Sequence, residues 1–229
     1  MKEQDDGHGR GASSSREKWE EIYQSGNMPC IPYTEVFSSI ISIYGRQNLP
    51  GLKVLEVGCG AGNNLLFAGG RLGMEVYGID FSASAVRYTQ GLLDECGVDS
   101  VLKVGDACSL EFDSSFFDVV IDRAALQHNT FNKCKEIVSE VHRVLQPGGI
   151  FVLSATSEDH PLFGGGSGLG EGAFVNENEV GVRQFFSRNQ IMEMMLNFKI
   201  EKWESHSRHD VCTGERLGCV YHICARKKS

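Results

Sequence analysis

The 229-residue chain lacks the marks of several protein classes. None of its eight cysteines belongs to a C-x-x-C pair, and the spacing of Cys212, Cys219 and Cys224 fits no usual zinc pattern. No stretch approaches the ~20 apolar residues that a membrane-spanning helix needs. No early apolar run has the length of a signal peptide. We therefore expect reduced thiols in a cytoplasmic protein with no metal site and no membrane span.

The chain also lacks an excess of basic residues. It contains 22 Lys and Arg against 30 Asp and Glu, which gives a formal net charge of −8. Its only basic cluster is Arg226-Lys227-Lys228. Because an acidic surface does not attract phosphate backbones, nucleic-acid partners are not expected. A small molecule is the favoured partner, and a chain of this length favours one α/β domain.

A glycine-rich turn follows the first predicted strand. The apolar run at 53–57 stops at a series in which every second residue is glycine, namely Gly58, Gly60 and Gly62. Glycine tolerates a positive φ and has no Cβ, so a ligand can lie directly against the main chain. The spacing differs from the G-x-G-x-x-G of dinucleotide-binding turns. Free N–H groups at the start of the next helix suit an anionic or carboxylate-bearing ligand.

Two acidic residues complete this pattern. Glu56 stands two residues before the first glycine, and Asp80 ends the next apolar run. With them, the stretch resembles the first cofactor motif of the class I S-adenosylmethionine-dependent methyltransferases, written E/D-x-G-x-G-x-G. The residues L-Q-P-G-G at 145–149 are similar to the L-x-P-G-G turn of the same family. The resemblance covers residues 50–155 and, more loosely, the C-terminal part of the chain.

From residue 53 onward, predicted strands alternate with predicted helices, which is the pattern of a parallel sheet covered on both faces. The last two apolar runs leave no room for a crossover helix, so they are predicted to pair antiparallel. The methyltransferase fold ends in such a hairpin, unlike nicotinamide-binding Rossmann domains. We expect a Rossmann-like α/β three-layer sandwich whose mostly parallel seven-stranded sheet ends in an antiparallel hairpin. The predicted strands are 53–57, 75–79, 101–104, 116–121, 150–154, 198–203 and 219–225.

Composition and helix signals set the predicted domain limits. Residues 1–13 are polar and contain glycine, which predicts a disordered tail ahead of a single domain at 14–229. A capping-box pattern, Ser14-x-x-Glu17, opens the first helix of an N-terminal helical cap at 14–48. Residues 157–184 contain seven glycines and no clear period, which predicts a lid or substrate insert.

The resemblance implies a binding site for S-adenosylmethionine, whose demethylated product is S-adenosylhomocysteine. Gly58 and Gly60 would face the methionine portion, and Glu56 would order the loop and help to bind the ammonium group. Asp80 would accept hydrogen bonds from both ribose hydroxyls, and Phe81 would cover one face of the adenine. The alternative for Asp80 is an acid that stabilises the start of a helix.

Four more positions extend the predicted cofactor site. Asp106 and Ala107 match the family position where an acid accepts the adenine amino group and a backbone N–H meets a ring nitrogen. Trp19, in a W-x-x-x-Y arrangement, resembles part of the N-terminal helix that folds over the cofactor in many relatives, although core packing explains it equally well. Arg123 fits either a contact with the cofactor or substrate anion or a surface ion pair.

Candidate catalytic residues follow the fourth predicted strand, because ligands of open α/β sheets bind beyond the carboxyl ends of the strands. Gln127-His128 is similar to the L-Q-H tract of small-molecule methyltransferases. His128 could take a proton from a hydroxyl, and the alternative is a histidine that packs the loop. Asp122, at the end of the same strand, is the second candidate base. No acidic pair has metal-binding spacing, so the expected reaction needs no metal.

These patterns predict methyl transfer from S-adenosylmethionine to an oxygen or nitrogen of a small molecule. Other functions stay open at this point. They include a cofactor-binding regulator without catalysis, another S-adenosylmethionine-using transferase, methylation of a protein side chain, thiol-driven methylation of a metalloid, and a nicotinamide oxidoreductase. The oligomeric state is left open.

Overall fold

A computed structural model describes residues 9–25, 31–175 and 180–228. Within these ranges, no helix has both the length and the apolar character needed to cross a bilayer. The helices are α1 (Gly9–Gln24), α2 (Thr34–Tyr44), α3 (Asn63–Leu72), α4 (Ala83–Glu95), α5 (Phe131–Val144) and α6 (Arg188–Met194). The strands are β1 (Lys53–Val57), β2 (Glu75–Asp80), β3 (Ser100–Val104), β4 (Phe117–Arg123), β5 (Leu145–Thr156), β6 (Ser167–Gly170), β7 (Ala173–Val175), β8 (Val182–Gln184), β9 (Phe198–His209) and β10 (Arg216–Lys227).

Seven of these strands form one sheet in the order β3-β2-β1-β4-β5-β10-β9. Strands β1 to β5 run parallel, whereas β10 pairs antiparallel with both β5 and β9. The predicted fold class, a mostly parallel seven-stranded sheet with an antiparallel terminal hairpin, is therefore confirmed. The strand order reverses between β1 and β4, and this switch point is where open α/β sheets bind their ligands.

The central strands are apolar on both sides because helices cover both faces of the sheet. Leu55 and Val120 pack into the core shared with α5 and α6. Their neighbours Val54, Val119 and Ile121 pack into the core shared with α2 and α3. All five side chains are fully buried, so burial of apolar surface on two faces stabilises β1 and β4 as the centre of the sheet.

Helix ends follow the predicted signals. Gly45 ends α2 with a φ of 74°, and its N–H donates to the carbonyl of Ile41. Ser82 caps α4, because its hydroxyl accepts a hydrogen bond from the N–H of Ala85 at 3.1 Å. The helix α6 starts with a complete capping box between Ser187 and Gln190.

Three boundaries differ from the sequence-based prediction. Helix α1 begins at Gly9, five residues before the capping-box pattern and inside the segment predicted as a disordered tail, while residues 1–8 lie outside the described ranges. Strand β5 begins at Leu145 rather than residue 150, because Leu145 already pairs with Phe117 of β4. The hairpin strands are longer than predicted, since their exposed ends are polar and show no apolar run.

The glycine-rich insert folds into a second sheet of three short strands in the order β6-β7-β8. Phe163, Phe174 and Phe185 form a cluster of edge-to-face ring contacts in this insert, with ring centroids 5.4 to 5.9 Å apart. Phe186 is fully buried and joins the main core. Strand β8 packs against the 3-10 helix Leu126–His128. The insert therefore borders the carboxyl edge of β4.

Two neighbouring glycines of α3 should respond in opposite ways to alanine. A Cβ at Gly69 would overlap Val98, whereas a Cβ at Gly70 would make ordinary contacts at 3.5 Å or more. We expect Gly70→Ala to stabilise the protein by about 0.5–1 kcal/mol through helix propensity, and Gly69→Ala to destabilise it by about 1–3 kcal/mol through overpacking. Urea denaturation of both variants measures the two changes. A gain in stability from Gly69→Ala would contradict the tight packing of α3 against Val98.

Candidate active site

Most of the sequence-predicted site residues meet at the carboxyl edge of β1, β2 and β4. Strand β1 runs into the glycine loop at 58–62, β2 ends at Asp80, and β4 leads into the turn at 122–128. The parallel pairing of these three strands places their ends at the same edge of the sheet. Side chains and N–H groups from distant parts of the sequence therefore converge there.

The glycine loop takes backbone conformations that favour glycine. Gly58 and Gly60 have φ values of 67° and 50°, in the left-handed region. A Cβ at Gly58 would overlap the methyl group of Ala125, and a Cβ at Gly60 would lie 2.7 Å from the hydroxyl of Tyr23. Any side chain at these positions would displace the turn after β4 or the helix α1. The loop is thus bare because other elements approach it closely.

Asp80 ties the glycine loop to the start of α4. One carboxylate oxygen accepts the N–H of Gly60 at 3.0 Å, and the other accepts the N–H of Ser82 at 2.9 Å. The side chain is only 5% exposed, and burial raises its pKa. Each oxygen retains a lone pair for a further hydrogen bond. Both interpretations of Asp80, a helix-start acid and a carboxylate available to a diol, are compatible with this geometry.

Glu56 is buried beneath the glycine loop with one oxygen unsatisfied. Its Oε1 accepts the amide N–H of Asn64 at 2.7 Å, and Asn64 in turn accepts the backbone N–H of Tyr33 at 3.0 Å. Among the described residues, Oε2 of Glu56 has no hydrogen-bond partner. Burial, only partly offset by Asn64, raises the pKa of Glu56 to about 8. A buried polar atom of this kind is expected to have a partner when a ligand binds.

Arg123 supplies a cation at this acidic edge. Its guanidinium lies 3.4 Å from the ring centroid of Tyr33, which is a stacked cation–π contact. Burial lowers the pKa of Arg123, whereas the nearby Tyr33, Glu56, Glu35 and Asp122 raise it. Within the described ranges, no carboxylate lies within ion-pair distance of this guanidinium. The simple surface ion pair considered from the sequence is therefore not seen.

Asp122 shapes the turn after β4. Its carboxylate accepts the N–H of Ala125 at 3.0 Å and that of Leu126 at 3.0 and 3.2 Å. The side chain is 1% exposed, and burial raises its pKa to about 7 against the opposing effect of these hydrogen bonds. These contacts fix the 3-10 helix that presents His128. They give Asp122 an architectural role, and its assignment as a base stays a prediction.

His128 lies at the end of this 3-10 helix and faces α1 and the insert. Its ring centroid is 5.0 Å from that of Trp19 in an edge contact. Burial and the positive charge of Arg183 lower its pKa to about 4, against hydrogen bonding with the backbone of Val182 and Val180. The imidazole is therefore neutral at physiological pH. Its Nδ1 is buried and has no hydrogen-bond partner among the residues that the structure describes.

Helix α1 covers the site from above. The rings of Trp19 and Tyr23 stack with their centroids 5.9 Å apart. Trp19 contacts His128, and the hydroxyl of Tyr23 lies against Gly60 of the glycine loop. Burial raises the pKa of Tyr23, and the charges of Asp80 and Glu56 add to this effect. The phenol therefore stays protonated and can donate a hydrogen bond. The contacts of Trp19 with Tyr23 and His128 fit both interpretations of this residue, a cover over the cofactor and a core side chain, and the cover stays a prediction.

Three more predicted residues directly follow β2 and β3. Asp106 is exposed after β3, and its carboxylate accepts the N–H of Cys108 at 2.9 Å. Ala107 is half-buried and packs beside the main core. Phe81 is half-buried directly after Asp80. Their assignments to the adenine end of the site stay predictions.

Sequence reasoning missed residues whose roles depend on distant partners. Asn64 is a buried polar residue in the first turn of α3, and it links Glu56 to Tyr33. Glu20 of α1 binds hydroxyls at the start of α4. Thr89 of α4 donates its hydroxyl to the carbonyl of Gly60 at 2.7 Å. A polar residue on the buried face of the helix that follows the glycine motif is a signal that could have identified Asn64, whereas Glu20 and Thr89 carry no such signal.

Known proteins share both the motif region and the fold. Residues 54–149 match the family described as "Methyltransferase domain". Squalene methyltransferase 1 of Botryococcus braunii is 34% identical over 104 residues, covering 44% of this chain and 27% of that protein. The chain spans less than half the length of the curated relatives that it matches.

Two solved structures share the architecture over most of the chain. A SAM-dependent methyltransferase of Methanosarcina mazei is 24% identical, with a TM-score of 0.71 over 86% of this chain and 99% of that one. The 1,6-didemethyltoxoflavin-N1-methyltransferase of Burkholderia thailandensis, with bound S-adenosylhomocysteine, is 16% identical, with a TM-score of 0.70 over 100% of this chain and 94% of that one. At these identities the structures establish the fold. Residues 54–149 therefore match a methyltransferase domain, within a chain that has the fold of these solved methyltransferases.

Proposed function

We propose that this protein transfers a methyl group from S-adenosylmethionine to an oxygen or nitrogen of a small molecule. The observation that carries the acceptor type is the buried, neutral imidazole of His128 with an unpartnered Nδ1. A bare imidazole nitrogen accepts a hydrogen bond from an O–H or N–H group. A carbon acceptor would offer no such donor. The cytoplasmic location and the absence of a nucleic-acid partner stay predictions.

The residues of the edge fit the proposed cofactor. Glu56 has a buried oxygen without a partner, which is complementary to an ammonium group. The left-handed turn at Gly58 and Gly60 brings the main chain itself to this edge, where we propose that it meets the amino-acid moiety. Asp80 keeps lone pairs for a ribose diol. With Arg123 near the same edge, the site offers partners for both charged ends of the methionine portion.

The bound cofactor would supply an electrophilic methyl group on a sulfonium, so the protein mainly has to align the acceptor and exclude water. Trp19 and Tyr23 close the site from the side of α1, and the insert closes it beside His128. His128 would hold the acceptor's O–H or N–H through Nδ1 and take up the proton that leaves as the methyl group is transferred. Positioning of this kind can lower the barrier by ~7–11 kcal/mol.

The relatives bear on the acceptor in different ways. The Burkholderia protein is named an N1-methyltransferase of a small molecule, which supports a nitrogen acceptor. Sterol methyltransferases of Arabidopsis thaliana, 31% identical, are named C-methyltransferases. Because the unpartnered nitrogen of His128 favours an acceptor with a proton to donate, we propose an oxygen or nitrogen acceptor rather than a carbon acceptor.

Asp80→Ala should weaken binding of S-adenosylhomocysteine by about 30-fold or more. The change removes the proposed hydrogen bonds to the ribose and the contact that holds Gly60, and hydrogen bonds to a charged group contribute about 1.5–3 kcal/mol each. Isothermal titration calorimetry measures the affinity. Asp94→Asn, on the exposed part of α4, is the control and should bind as the wild type does. Unchanged affinity in Asp80→Ala would refute the proposed ribose contact.

Binding of S-adenosylhomocysteine near pH 7 should release a proton from Glu56. In the free protein, burial raises the pKa of this carboxyl to about 8, whereas an ammonium beside it favours the charged form. Affinity should therefore rise from pH 6 to pH 8, and Glu56→Gln should abolish the proton release. Calorimetry in buffers of different ionisation enthalpy counts the protons.

The ligand-free protein provides an independent check of this raised pKa. A carboxyl with a raised pKa in the folded state contributes stability below its unfolded pKa, and that stability is lost as the pH rises through the folded value of about 8. The Glu56→Gln variant has no ionisable group at this position, so it does not lose this stability as the pH rises. The free energy of unfolding of the variant minus that of the wild type should therefore increase by about 2 kcal/mol or more as the pH rises from 5 to 8. Equal pH profiles would show that Glu56 is already ionised when free.

His128→Ala should lower methyl transfer by about 10²–10⁴-fold, the usual contribution of a positioned general base. Labelled methyl donor and a cell extract provide the assay, with label in the product as the readout. Affinity for S-adenosylhomocysteine should change by only a few-fold, because His128 borders the acceptor rather than the cofactor in this proposal. Undiminished transfer would leave His128 as a packing residue. Tight cofactor binding without transfer by the wild type would instead favour a non-catalytic regulator.

A further inference from the structure

Glu20 of α1 makes a set of contacts that the proposed function does not use. Its Oε2 accepts the hydroxyl of Ser82 at 2.5 Å, and its Oε1 accepts the hydroxyl of Ser84. The N–H of Ser84 lies 3.5 Å from Oε2, and Arg87 lies 3.9 Å from Oε1. These contacts join residues more than 60 positions apart in the sequence. They are the polar attachment of α1 to the start of α4.

The Glu20 contacts connect the segment that holds Asp80 with the helix that carries Trp19 and Tyr23. Ser82 caps α4 and also donates its N–H to Asp80, so Glu20 is bound to the segment that holds the proposed ribose carboxylate. On the same helix, Trp19 reaches His128 and Tyr23 reaches Gly60. Glu20 therefore belongs to the same helical turn as the two stacked aromatic side chains, Trp19 and Tyr23.

The surroundings of Glu20 favour its charged form. Hydrogen bonds from Ser82 and Ser84, the largest causes, lower its pKa to about 2. The start of α4 also presents free N–H groups and the positive end of the helix dipole, which stabilise a carboxylate. Its side chain is 28% exposed, so the carboxylate is half-buried and keeps some access to solvent. A reversible contact of this kind suits a helix that must open to admit a ligand.

We infer that Glu20 is a positioning residue, whose carboxylate holds α1 across the start of α4 so that Trp19 and Tyr23 close over the bound cofactor. The inference rests on the proposed function for the identity of that cofactor. Loss of the carboxylate leaves Gly60, Asp80 and Glu56 in place but frees the helix above them. The rate constant for cofactor release should therefore increase by a larger factor than the rate constant for cofactor binding changes.

Stopped-flow fluorescence of Trp19 tests this inference. The chain has two tryptophans, so Trp203→Phe leaves Trp19 as the single reporter on α1. In this background, Glu20→Ala should release S-adenosylhomocysteine about tenfold faster or more, since two hydrogen bonds to a charged group are lost. Glu20→Gln, which keeps the shape, should show a smaller acceleration. Glu21→Ala, on the exposed side of the same helix, should release at the wild-type rate.

A second variant approaches the contact from α4. Ser84→Ala should also accelerate release, and the double variant with Glu20→Ala should add little, because both changes remove the same interaction. Fully additive effects, or a wild-type release rate in Glu20→Ala, would overturn the inference. Release is compared well below the thermal unfolding midpoint of each variant, which separates positioning from general stability.

The emission of Trp19 without ligand separates this inference from the proposed function. If the helix is held by Glu20, Glu20→Ala should shift the emission of Trp19 to longer wavelength in the free protein, and Glu21→Ala should not. If this shift occurs but no variant binds S-adenosylhomocysteine, the attachment of α1 by Glu20 is supported and the proposed cofactor is refuted. Normal binding with an unchanged emission would refute the attachment alone.

Discussion

The buried carboxylate of Asp80 is the contact on which the organisation of this edge depends. One oxygen holds the N–H of Gly60 and the other holds that of Ser82, so a single side chain fixes both the glycine loop and the start of α4. Burial alone would favour the protonated form, and the two N–H groups oppose that effect. Ser82, once placed, caps α4 and meets Glu20. The cover therefore depends on the same carboxylate as the loop.

Acidic side chains outnumber basic ones at this edge, and this imbalance favours a ligand that carries positive charge. Glu56, Asp80 and Asp122 are all buried there, and burial raises the pKa of each. Arg123 is the nearby cation, and it stacks on Tyr33 rather than pairing with a carboxylate. Asp122 uses its oxygens on backbone N–H groups, so the unsatisfied acceptor is Glu56. Such an edge fits the proposed binding of a ligand that brings an ammonium group and a sulfonium, because a nearby cation favours the charged form of buried carboxyls.

The central part of the fold could be predicted because its signals are local. Strand β1 was predicted with its observed bounds at 53–57, since an apolar run ends there at a glycine turn. The insert at 157–184 could not be predicted in the same way. Its strands are three or four residues long, and β6 is half glycine, so no apolar alternation marks them. Their stability comes from the Phe163, Phe174 and Phe185 contacts, which only tertiary structure brings together.

The same distinction separates the acids of the site from the side chains that hold them. Glu56 and Asp80 stand at fixed offsets from a glycine motif, so a sequence pattern can find them. Glu20 has no such offset from its partners, because its hydrogen bonds cross from α1 to the start of α4, and only the fold brings these elements together. A motif thus identifies groups that face a ligand, whereas the groups that orient them follow from packing. For this reason α1, whose sequence suggested only a cap or a core helix, becomes part of the site through Glu20.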